Sequence, residues 1–312
     1  MNPIASQIKL LVAPDARLLM MQSEYLAELA ALVPFISVGK ELHFKIESYK
    51  EVVARDLQKV AENIPIHITT EYSLTELDNS LAYHRISGMI AYDSWWRFST
   101  LQFERDLLAA EANDSISGHF IHISSGGGEA YYLDQLAKTM QSLKKPTYTL
   151  IDKKCGSAGY YIASQTNHIA SLTPYDDVGC IGVMATAISY EGWYEQCGIK
   201  TVTVKATKSD LKNKKFENVL NDKPKQFIKE DLDPLQQQFV SDVKKMRPKI
   251  AALGDDHPVL RGETFYSGVA IENGLVDEIT TFDNALADAY ARATKWHQTH
   301  QSRKQLLNTL TP

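Results

Sequence analysis

Cys155-Gly156-Ser157-Ala158-Gly159 and, upstream of it, Ser124-Ser125-Gly126-Gly127-Gly128-Glu129-Ala130 decide how this chain is read. A serine between glycines at the mouth of an apolar helix can serve as a nucleophile. A Gly-Gly turn closing a strand can present backbone N–H groups to a developing oxyanion. Each motif alone is weak, because glycine-rich turns mostly just allow positive φ. Their order and their flanks carry the weight.

Working outward, both motifs sit in a succession of short β runs and helices. Arg85–Ile90 and Gly118–Ile123 read as strands, the second running straight into the glycine turn. Thr100–Ala112 reads as a helix, and so does Glu129–Lys144, whose start would add its dipole to the turn. Thr147–Ile151 leads through Lys153-Lys154-Cys155-Gly156 to Ser157 and a helix over Ala158–Gln165. His168–Ser171, Cys180–Met184 and Thr201–Val204 read as further strands, and Lys225–Met246 as an amphipathic helix broken near Pro234. Such alternation implies an α/β fold with a mostly parallel sheet.

Residues 1–80 read as a separate, mostly helical extension, with helices over Leu18–Leu32 and Tyr49–Asn63 and a short strand at Ile66–Thr69. Residues 81–290 hold every motif. From Ala293 the periodicity fades, so residues 291–312 read as a frayed or docking tail.

The chain has 312 residues, 44% of them hydrophobic and 23% charged, enough to bury a sizeable core. A net charge of −5 gives no reason to expect a nucleic-acid partner. Three cysteines without a C-x-x-C argue against a disulfide framework or zinc site, and for a reducing compartment. No secretory signal is evident at the start, and Tyr25–Val38 is too short and interrupted to span a bilayer. A cytoplasmic protein without a membrane span is the expectation.

A serine nucleophile needs a base. The G-x-S-x-G elbow fails because position 155 is cysteine. His168 reads as a strand-end residue, and His119 and His122 show no carboxylate mate in the sequence. Lysine is the other option. The stretch Lys205–Lys215 reads first as a solvated loop. A lysine that becomes desolvated there could nevertheless accept the serine proton near neutral pH.

At this point the chain resembles the signal peptide peptidase A (SppA-type) serine peptidases, including phage prohead and capsid-assembly proteases. The resemblance is carried by Ser124–Gly128, Gly156-Ser157-Ala158-Gly159-Tyr160-Tyr161, Gly179-Cys180-Ile181-Gly182-Val183, Lys208–Asn213, Tyr266-Ser267-Gly268 and Gly274-Leu275-Val276-Asp277-Glu278. It covers roughly residues 83–285. Gly126 stands where the family has a turn proline, which should loosen the turn, and Cys180 stands where it has serine.

The resemblance implies a Clp-protease/crotonase-like spiral of β-β-α units, and a Ser–Lys dyad with Ser157 as nucleophile. Lys212 fits the base position by its Asp-Leu-Lys-Asn context, with Lys208 as the rival. Gly127, Gly128 and Ala158 would supply the oxyanion hole. No metal or organic cofactor is implied. Polypeptide substrates, homo-oligomeric rings or domes, and capsid or scaffold proteins are the implied partners. Two alternatives remain: a non-catalytic crotonase-like assembly scaffold, and an acyl-CoA enzyme in which the glycine turn holds a thioester enolate. Trp95-Trp96-Arg97-Phe98 is a candidate for a subunit contact, a substrate groove or a lid packed on the core.

Overall fold

The strand and helix alternation from residue 80 onward is borne out in a computed structural model that describes residues 19–21, 64–68, 78–94 and 97–310. At its centre β3 (Ser80–Ser87), β6 (Ile116–Ser125) and β8 (Thr147–Gly156) run parallel, with β2 (Ile66–Ile68) outside β3. Beyond β8 the sheet forks. β9 (His168–Ser171) pairs with the first half of β8, and β10 (Asp177–Gly179) pairs with its last residues. β12 (Glu278–Ile279) continues from β9, and β11 (Thr264–Tyr266) lies antiparallel to β10.

Because successive strand residues point to opposite faces, this sheet buries two cores. Ile86, Ile121, Ile123 and Ile151 belong to the larger one. It is covered by α1 (Thr100–Ala112), α2 (Leu133–Ser142), α3 (Ala158–Ser164) and α4 (Asp233–Met246). Tyr83, Phe120, Tyr148 and Leu150 form the other, beneath α5 (Phe282–Leu310). The α5 stripe Ala285, Leu286, Ala289 and Ala293 has helical spacing, so one face of the helix closes that side. Burial on both faces suits a parallel sheet.

A smaller sheet carries the glycine turn. Its order is β1 (Leu19–Met21), β7 (Gly127–Glu129), β4 (Ile90–Ala91) and β5 (Phe98–Ser99). Among the described residues, no helix is long and apolar enough to cross a membrane.

Several expectations need correction. Leu19–Met21 is strand rather than helix, because pairing along β7 outweighs a weak local preference. The rest of Leu18–Leu32, the helix expected over Tyr49–Asn63, and Trp95-Trp96 lie outside the described residues. The strand expected over Arg85–Ile90 ends at Ser87 and resumes in the other sheet. The helix expected from Glu129 starts only at Leu133, because Gly127–Glu129 pairs as β7; the helix dipole is therefore set back from the turn. The continuous strand stops at Gly179 rather than running over Cys180–Met184, where Met184 alone makes an isolated bridge, since Cys180 takes φ 55° and turns the backbone away. Thr201–Val204 has strand composition but lies exposed and unpaired among the described residues. Before Pro234 the helix widens into a π turn over Ile228–Leu232. The expected tail is instead the end of α5: among residues 282–303 the last buried position is Ala293, yet the helix runs on to Leu310.

Candidate active site

Parallel strand register brings the two motifs together. Ser125 on β6 lies opposite Cys155 on β8, so Gly127 and Ser157, each two residues on, leave the sheet side by side. Ser157 caps α3 with φ 55° and ψ −121°, a backbone conformation sparsely used by non-glycine residues. Its N–H donates to the Gly179 carbonyl at 2.9 Å, and Cys180 N–H donates to Glu263 at 2.8 Å, which pins the turn against β10 and β11. Ser157 is fully buried, and its Oγ makes no close hydrogen bond among the described residues, with the Cys180 thiol as a weak partner. A buried hydroxyl so weakly paired costs up to about 1–3 kcal/mol.

The Cys180 thiol is its neighbour. Burial first, and then the Asp177 carboxylate, push that thiol up to about 11, against a pull back from the Ser157 hydroxyl. Cys180 is therefore a protonated thiol at neutral pH, while the fully buried Cys155 thiol is pushed higher still by desolvation.

The glycine turn is held by a residue that the sequence reading passed over. Ser125 Oγ donates to the Gly88 carbonyl at 2.6 Å and accepts from Gly127 N–H at 3.1 Å. The missing turn proline is thus offset by a hydrogen-bonded serine, whose only sequence signal was its place in Ser-Ser-Gly-Gly-Gly. Gly127 takes φ 107°, and a Cβ on Gly128 would come 1.9 Å from the Ile90 carbonyl oxygen. Of the expected oxyanion donors, Gly127 N–H is already engaged. Ala158 N–H lies in the first turn of α3, where helical N–H groups have no intrahelical partner.

The late motifs brace this centre. Tyr160 donates its hydroxyl to the Leu275 carbonyl at 3.0 Å, and Tyr161 donates to Asp242. Asp277 takes two hydrogen bonds from Arg247, at 3.0 and 2.7 Å, and one from Ile169 N–H at 2.8 Å. Burial works against the Asp277 carboxylate, but those donors outweigh it and hold Asp277 below its ordinary value. Ser267 Oγ donates to the Thr173 carbonyl at 2.7 Å, and Asp176 accepts from Lys153 N–H at 3.1 Å, which ties the β8–β10 corner together.

The histidines are engaged elsewhere. His168 pairs with Glu278 at 2.9 Å. Contrary to expectation, His119 and His122 do have carboxylate neighbours, Glu111 at 3.2 Å and Asp152 at 3.6 Å, brought there by strand pairing and the α1 terminus. Among the described residues, His168, Glu278 and Asp288 form one group with ligand atoms within 4.8 Å of one another. Protein partners already serve it: Arg292 pairs with Asp288 at 2.8 Å, and Tyr148 donates to Glu278 at 3.2 Å.

The lysines are not brought to Ser157. Lys208 and Lys212 are exposed, on a segment in which no residue between Ile181 and Phe239 is buried. Lys205 pairs with Glu217, and Lys215 with Asp231, along the same segment.

The profile of peptidase family S49 matches residues 139–295, half of the chain. An Enterococcus faecium protein that carries the SppA signal peptide peptidase name is 27% identical over 198 residues, 61% of this chain and 55% of that protein. The head-tail preconnector protein GP5 of Enterobacteria phage P21 is 24% identical, over 65% of this chain and 40% of that protein. The chain thus spans about half the length of these relatives. A solved structure of the 1510-N membrane-bound stomatin-specific protease, a serine-to-alanine mutant, matches at 14% identity with a TM-score of 0.43, over 68% of this chain and 84% of that one.

Proposed function

Because the chain belongs to peptidase family S49, we propose that it is a serine endopeptidase in which Ser157 attacks the scissile carbonyl. One observation carries this: Ser157 is strained, buried and paired with nothing stronger than a thiol at the start of α3, beside the glycine turn. Its Oγ forms an ester with the acyl carbon as the peptide C–N bond breaks. The serine proton passes to a lysine amine and from there to the leaving amine. Water then hydrolyses the ester, losing its proton to the same lysine. Lys212 is that base, with Lys208 the rival, and Gly128 and Ala158 N–H face the oxyanion.

The lysine must arrive by docking of its loop. Val202, Val204 and Leu211 are 68%, 87% and 78% exposed there, and the unpaired Thr201–Val204 run has the composition of a strand. A homo-oligomer, in which this segment is covered and the dyad closes, supplies what the single chain lacks. The substrate is a polypeptide, and the enzyme works in the cytoplasm as a soluble SppA-like or phage prohead-type protease; cellular and phage relatives both support that range.

The test is labelling with a fluorophosphonate together with casein hydrolysis. Ser157→Ala should abolish labelling and lower turnover on the order of a thousandfold or more. Retention of more than about a tenth of the activity would remove Ser157 from the mechanism. Lys212→Ala should be as inactive as Ser157→Ala, with Lys208→Ala milder; the reverse order would make Lys208 the base. A second reading, a non-catalytic assembly scaffold, takes its support from the exposure of both lysines. It predicts no labelling at any oligomeric state.

A further inference from the structure

Strand β7 has two edges, and both are taken. On one side Ile90 of β4 lies opposite Gly128. On the other, β1 runs antiparallel, with Leu19 opposite Glu129, Met20 opposite Gly128 and Met21 opposite Gly127. β1 comes from far away in sequence, so no hairpin places it there. Its partner residue Gly127 leaves the main sheet level with Ser157, and Ser157 is fully buried.

A peptide to be cut at Ser157 must lie extended beside it, and adding a strand to a sheet edge is how proteins commonly hold extended chains. Gly127 and Gly128 offer an occupant backbone groups and no side chains, so the edge reads main chain rather than sequence. We propose that the outer edge of β7 is the acceptor for an extended substrate backbone, and that residues 19–21 fill it in cis as a stand-in strand that must leave before a substrate enters. This presupposes the peptidase chemistry above. A segment of the same chain competes as an intramolecular ligand, at an effective concentration that a dilute peptide does not reach. A short peptide supplied in trans is therefore held off, while a long chain that makes further contacts can displace the strand.

The test uses the full chain carrying Ser157→Ala, so that binding is read without cleavage. Alternate strand residues point their N–H groups to opposite sides, and proline has none. Of Met20→Pro and Met21→Pro, one therefore removes a bond to β7. In that variant, hydrogen exchange at residues 127–129 should quicken at least tenfold, and a fluorescent peptide copying residues 15–25 should bind at least tenfold tighter. Unchanged exchange in both variants would overturn the occupancy. Faster exchange without tighter binding would overturn the acceptor role.

A readout without proline guards against misfolding. Saturating peptide added to the chain carrying only Ser157→Ala should speed exchange at residues 19–21 and leave 127–129 protected. Peptide bound with residues 19–21 still protected would overturn the proposal. If the peptide displaces β1 but chains with Ser157 intact hydrolyse nothing, the peptidase chemistry fails and the strand exchange stands.

Discussion

Ser125 does at the glycine turn by hydrogen bonding what a proline would do by covalent constraint. Ser125→Ala takes the Ser125 partner from the half-buried Gly88 carbonyl and from the buried Gly127 N–H. We expect a loss of about 1–3 kcal/mol in urea unfolding, and slower labelling of Ser157 as the turn loosens. Asp277 acts at the same scale. Its folded value lies below the ordinary 3.8, so its contribution is fully present above that pH and is lost as pH falls through the folded value. Asp277→Asn leaves the Arg247 guanidinium, itself nearly buried, without its counter-ion. The expected cost at pH 7 is about 3 kcal/mol, the low end for breaking a buried pair because Asp277 keeps partial solvent contact. Unfolding of both proteins at pH 7 and at pH 3 checks the sign. The gap between them should shrink in acid, and a constant gap would deny the ion pair its role.

Elements position these residues more than their own propensities do. β7 approaches β4 so closely at Gly128 that no side chain fits. Gly128→Ala should therefore push β4 and β7 apart, at a cost of about 1–3 kcal/mol or more. Thermal melting should show it, together with loss of Ser157 labelling; a stable, fully labelled variant would mean that the strand contact is dispensable. α3 is likewise held from behind, by Tyr160 on the Leu275 carbonyl and by Tyr161 on Asp242. This explains why motifs more than a hundred residues apart in sequence serve one centre.

For the whole molecule, the segment between Ile181 and Phe239 is the outstanding feature. It carries both candidate lysines and buries nothing of its own. Val204→Asp and Leu211→Asp should leave the stability of the isolated chain within about 0.5 kcal/mol, as exposed positions do. They should nevertheless reduce the mass seen by light scattering to that of a monomer and abolish casein hydrolysis. A variant that is monomeric and fully active would show that the lysine docks within its own chain. A variant that unfolds would show that the segment packs on its own core.

The sequence by itself determined the α/β class, the succession of the central strands and helices along the chain, and the presence of a glycine turn ahead of a Gly-Ser-x-Gly helix start. Period-two and helical patterns report burial directly, and motif order is written in the chain. What only the tertiary structure decided were the long-range partners. Arg247 on Asp277, Ser125 on Gly88, and the carboxylates facing His119 and His122 join residues that no local pattern links. The same limit accounts for the misread segments. Leu19–Met21 became a strand because β7 offered an edge, Thr201–Val204 stayed irregular because no described strand lay beside it, and the backbone of α5 continues as helix past the stripe that ends at Ala293 among residues 282–303. Pairing energy resides in the neighbour, and a single segment of sequence does not contain its neighbour.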